Sequence, residues 1–147
     1  MKTFKLAILL FLTLNLIACE ADDFYDRDYD DRPLYEVEDM LLGRHWTGDI
    51  GMDADNGEPL FSTFCFDFRH QGTEIQYYKS DGLVYAEYPF EWYTEYCPDC
   101  GACRVVLDYG PAGVSYMDDV YFSGAFFKGV FFLHRHDRGF PFKLRME

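Results

Sequence analysis

The sequence predicts an all-β domain, an eight-stranded antiparallel up-and-down barrel led by one short helix; a β-sandwich of the same strands is the alternative. Three observations point there. From Trp46 onward, Asn56-Gly57, Gln71-Gly72, Asp81-Gly82, Cys97 to Gly101, Gly110 to Gly113, Ser123-Gly124 and Arg138-Gly139 punctuate the chain at regular intervals, and glycine supplies the positive φ that tight hairpins need. The runs between these turns alternate apolar and polar residues with period two, as half-buried strands do. No segment from 46 to 147 has an apolar stripe of helical period. Consecutive hairpin-linked strands can close on themselves, which removes the edges an open meander leaves exposed.

The elements follow in order. Tyr35 to Leu42 is the exception to the β reading, because Val37, Met40 and Leu41 recur at helical spacing behind acids in the first turn, which the helix dipole favours. In the second run Phe64, Phe66 and Phe68 share a face. Pro89 interrupts the fourth run and implies an edge or a bend, since proline cannot donate to a ladder. In the fifth, Val105, Leu107 and Tyr109 share a face. The seventh run, Phe126 to His134, is apolar on both sides, so a central or covered strand is expected, with Gly129 as a second bend. In the last, Phe140, Phe142, Leu144 and Met146 alternate with Lys143, Arg145 and Glu147.

Leu42-Gly43-Arg44-His45-Trp46, after a short helix and before the strands, resembles the opening of lipocalin-like proteins. There a Gly and a Trp begin the first strand, and the Trp closes one end of the barrel. The resemblance spans residues 35 to 147, although the spacing is Gly-x-x-Trp rather than Gly-x-Trp. It implies a lipocalin-like or other small calycin-type barrel, with an Arg packed on that Trp, either Arg145 or Arg138.

The N-terminus is an address. Lys2 and Lys5 precede an apolar run from Leu6 to Ile17, the size of a signal-peptide core and too short to span a bilayer. Leu16-Ile17-Ala18-Cys19 resembles the lipobox of bacterial lipoproteins, which implies lipid attachment, palmitate included, at Cys19 after cleavage of residues 1–18. The thiolate is the nucleophile such a transfer needs, and several acyl chains give a stable hold on a membrane. Residues 19–33 read as an acidic tether and 34–147 as the barrel. Ten acids lie between Glu20 and Asp39 against Arg27 and Arg32, a density that keeps a chain extended. An acidic patch behind the lipidated cysteine also resembles the export signal of surface-exposed lipoproteins. The expected location is therefore the outer membrane, lipid-anchored at the cell surface, with a periplasm-facing anchor as the alternative.

Composition excludes some functions. Of 147 residues, 26 are acidic and 13 basic, a balance opposed to binding nucleic-acid phosphates. The aromatic share of 20% excludes a disordered chain. Cys97-Pro98-Asp99-Cys100-Gly101-Ala102-Cys103 resembles half of a zinc-ribbon knuckle, and with Cys65 could supply four sulfur ligands. The same thiols could instead form disulfides or remain reduced. A thioredoxin-like redox role lacks its βαβ context. Asp53-Ala54-Asp55-Asn56-Gly57-Glu58 places its glycine out of register for an EF-hand, so a polar hairpin tip is expected. His134, His136 and Asp137 could face one ion, but next to Arg135 and Arg138 they read as solvated surface. Ser62, Ser80, Ser115 and Ser123 stand in no nucleophile motif, and pairs such as Asp118-Asp119 are uninformative in so acidic a chain.

No cofactor and no enzymatic activity are expected, and the oligomeric state is left open. The aromatic residues point to binding. Tyr77, Tyr78, Tyr85, Tyr88, Tyr93 and Tyr96 occupy both faces of neighbouring strands, so some must point outward. Two expectations follow. One is a lipocalin-like module for a small hydrophobic ligand, which needs an open apolar interior. The other is an accessory lipoprotein whose outer aromatic face binds a glycan or a protein, which fits a filled barrel.

Overall fold

The computed structural model describes residues 34–97 and 101–147. The leader, Cys19, the tether and Cys100 lie outside them. Helix α1 (Leu34–Leu41) precedes eight strands: β1 (His45–Gly48), β2 (Leu60–Phe66), β3 (Gln71–Tyr78), β4 (Val84–Cys97), β5 (Ala102–Asp108), β6 (Val114–Ser123), β7 (Phe126–Phe132) and β8 (Phe140–Met146). Each strand pairs antiparallel with the next, and β1 pairs with β8 through Trp46↔Met146 and Thr47↔Arg145. The barrel is closed, so the sandwich alternative is excluded.

α1 covers one end. Val37 and Leu41 are buried in the core, and Thr94 of β4 donates a 2.7 Å hydrogen bond to Glu38. The helix stops at Gly43 (φ 68°), whose N–H donates to the Phe66 carbonyl, while the Arg44 guanidinium donates to the free carbonyls of Asp39 and Met40. A left-handed glycine is the usual helix stop. Gly43 therefore ends the helix instead of opening the strand, which accounts for the extra residue before Trp46.

Trp46 is fully buried against the rings of Phe122 and Phe127. Arg145 projects outward from β8 and Arg138 sits in the loop at the far end, so neither occupies the packing place that the resemblance implied. Among the described residues, Trp46 Nε1 has no hydrogen-bond partner.

Side chains alternate inward and outward along the strands; the core face is apolar as the sequence predicts except in β3, two expected features fall elsewhere, and Pro89 has the edge that was expected. Gln71-Gly72 begins β3 and is not a turn; the reversal is at residues 67–70, where Asp67 accepts from the Arg69 and Gln71 amides. Phe68 consequently lies in that turn, 79% exposed, instead of beside Phe64 and Phe66. The second irregularity is not in β7: a bulge in β6 between Asp118 and Tyr121 stands opposite Gly129. Pro89 pairs with Thr73 on one side, but β5 joins β4 only from Glu91 onward, so Pro89 has a local edge inside a closed barrel.

Candidate binding sites

The barrel interior is largely packed. Phe66 contacts Phe90 and Trp92, Phe90 contacts Tyr109, and Phe127 contacts Phe122 and Phe142, with ring centroids 5.0–5.6 Å apart. Phe64, Leu107, Met117, Phe127 and Leu144 expose 0% of their surface. These side chains are closed off from solvent by their neighbours.

Nearer the end opposite α1 the interior turns polar. β3 sends Gly72, Glu74 and Gln76 inward and Ile75 outward. Glu74 is 3% exposed and accepts hydrogen bonds from Ser62 Oγ (2.6 Å), Gln76 Nε2 (2.9 Å) and Tyr109 Oη (2.6 Å). Burial is the largest cause that holds the Tyr109 phenol far above its ordinary pKa, and the charge and hydrogen bond of Glu74 add to it. Tyr88 packs edge-on against Tyr109, and Tyr78 against Tyr85, forming an aromatic mouth. Sequence analysis missed this cluster. Its signal was the inverted alternation of β3, polar on the core face.

A second site lies on the outer wall. Arg104 of β5 points outward yet is 8% exposed. It donates two hydrogen bonds to Asp118 of β6, at 2.6 and 2.7 Å, reaches Glu95 at 3.5 Å, and lies 4.9 Å from the Tyr116 ring centroid. These carboxylates, Asp118 foremost, raise its pKa further and keep it a cation. Beside it the loop after β7 folds back over the wall. Gly139 permits this approach, since a Cβ there would lie 2.4 Å from Val130 and 2.6 Å from Phe132. The result is an open groove of about 430 Å³ whose lining includes Arg104, Tyr116, Asp118, Phe132, Arg135 and His136. Cys97 contributes to its floor. That volume is within the range of small-ligand sites. The covered face of β7 explains its apolar sequence on both sides.

The other sequence candidates separate. Cys97 is disulfide-bonded. Cys65 carries a free thiol on the outward face of β2, its pKa raised by burial and the nearby acids Glu147 and Glu87, whereas Cys103 is buried on the inward face of β5. The wall stands between Cys65 and Cys103. Among the described residues no cluster of His, Cys, Asp and Glu could hold a metal ion, and His134 and His136 form no such group. Asp53 to Glu58 is a hairpin tip in which Asn56 and Glu58 bond to each other. Asp118 is tied to Arg104, while Asp119 takes the positive φ of the bulge. Of the tyrosines, Tyr93 and Tyr96 are exposed, and Tyr77 stacks on Phe61 along the outer wall.

Fold and sites together define a class: a closed antiparallel barrel of lipocalin-like build, capped by a helix, packed inside, with a polar mouth and an outer groove. Comparison with known proteins gave no matching family model, curated protein or solved structure.

Proposed function

We propose that this protein is a lipid-anchored envelope lipoprotein, held at Cys19, whose barrel is a non-enzymatic binding module that meets its ligand on the outer wall. The single observation that supports the outer wall is the packed interior: with its inward rings in mutual contact, the core leaves little room for a ligand. The groove over β5, β6 and β7 combines aromatic surface with fixed charges, which suits a glycan or the side chains of an envelope protein. A tether of acids between anchor and barrel would hold that wall clear of an anionic membrane surface.

The test is binding of the full chain to immobilised envelope glycans and envelope proteins, compared across three variants. Tyr116→Ala and Phe132→Ala, both on the groove, should abolish capture, whereas Glu74→Gln inside the barrel should leave it intact. The reverse pattern overturns the outer-wall reading.

A second reading has one observation in its favour. The mouth joins the tyrosines at positions 78, 85, 88 and 109 to the Glu74 carboxylate, which would suit a small ligand with an apolar body and a hydrogen-bond donor. Native mass spectrometry separates the two: a carried small molecule lost in Glu74→Gln supports the mouth, and an unladen mass supports the wall.

A further inference from the structure

We infer that the groove on the outer wall recognises a sugar acid, with the carboxylate of a uronic-acid unit held by Arg135 and His136 and its ring laid against Phe132 and Tyr116. The inference rests on the outer-wall reading above and adds the ligand class. Its first support is the state of the two arginines. Arg104 is already saturated by Asp118 and Glu95, so it is a fixed part of the wall. Arg135 and His136 are exposed and line the same groove, yet among the described residues neither makes an ion pair or a hydrogen bond. In a chain with 26 acidic and 13 basic side chains, a guanidinium beside a shaped cavity with no carboxylate of its own is suited to an incoming anion. A carboxylate fits best, because the planar fork of Arg binds its two oxygens side by side.

The second support is the rest of the lining. Phe132 and Tyr116 give the groove an aromatic lining, and such surface suits the C–H face of a sugar ring; Arg104 already lies over one face of Tyr116, so the sugar would meet Phe132 and the remainder of the Tyr116 ring. Asp118, with lone pairs beyond those used by Arg104, can accept from ring hydroxyls. A purely apolar acid would leave Asp118 facing it unsatisfied, whereas a hydroxylated ring would not. The groove opens to solvent at Arg135 and His136, so a unit within a longer polysaccharide could enter without its ends being cut. This chemistry selects an acidic glycan over a neutral one.

The test titrates the full chain with trigalacturonate, with a neutral galactose trimer, and with benzoate, following heat and backbone amide shifts together. Trigalacturonate should bind at least tenfold more tightly than either control, with shifts at residues 104–106, 116–118 and 130–136. Arg135→Gln and Phe132→Ala should each weaken it at least tenfold, and Arg135→Lys should fall between, since it keeps the charge and loses the fork. Both arginine variants change an exposed loop position, and an unchanged Tm shows that they fold.

Equal affinity for the neutral trimer, or no effect of Arg135→Gln, overturns the acidic class while leaving the outer wall as the binding face. Benzoate as tight as the trimer overturns the saccharide. Absence of trigalacturonate binding overturns the inference and leaves the outer-wall reading to be decided by its own capture test. Shifts confined to Glu74, Tyr88 and Tyr109 overturn both.

Discussion

Glu74 shows how a buried carboxyl group is held, among the described residues, by neutral donors. Its three donors satisfy most of the carboxylate's accepting capacity, and hydrogen bonds to a charged group contribute more than neutral ones. Tyr109→Phe removes one of them and should cost about 2 kcal/mol at neutral pH in denaturant unfolding. The same phenol sets an alkaline limit. Its pKa is raised well above 10.0 in the native state, so above pH 10 the unfolded chain releases a proton that the native chain keeps. Stability is therefore intact below that pH and falls as pH rises further, and Tyr109→Phe should flatten this decline. On the outer wall, Asp118→Ala strands Arg104 with only a 3.5 Å contact to Glu95. A loss of about 3 kcal/mol is expected, from a nearly buried cation left uncompensated, measurable as a lower urea midpoint with an unchanged slope.

At the scale of elements, α1 was readable because Val37, Met40 and Leu41 fall on one face behind acidic residues. Only the packing shows that this face caps the barrel. Leu41→Ala should cost about 3 kcal/mol by leaving a cavity between helix and barrel, and Tm should fall accordingly. The strands were readable from alternation wherever the core face is apolar, as in β5 and β8. Reading failed at β3, where the core face holds Gly72, Glu74 and Gln76, and at Phe68, where an apolar residue sits in a turn with its ring over Gly43. In both places the alternation that signals a strand is broken by a local arrangement. The loop after β7 was legible only as a turn at Arg138-Gly139. That it folds back on Val130 and Phe132 depends on the neighbouring wall, and no local pattern encodes it.

For the whole molecule, the proposed anchor and the barrel would be separate devices. The outward wall carries Glu87, Glu91, Lys128, Lys143 and Arg145, while the inward positions are mainly apolar, the reverse of a barrel that faces lipid. No described helix is long and apolar enough to cross a membrane. Attachment through lipid then predicts that Cys19→Ala moves the protein from the membrane fraction to the soluble one, with the barrel still folded. Retention in the membrane fraction would refute the anchor.

By itself, the sequence determined the all-β class, the strand count, the helix and most inward positions. Glycine turns and period-two alternation are local consequences of backbone geometry, and they survive without knowledge of neighbours. Tertiary structure decided closure over sandwich, because closure depends on β1 meeting β8 almost a hundred residues away. It also decided both sites. Glu74 becomes a satisfied carboxylate only when Ser62 and Tyr109 arrive from other strands, and Arg135 and His136 become the edge of a groove only when their loop settles on Phe132. Long-range contacts made these sites, and spacing along the chain does not record them.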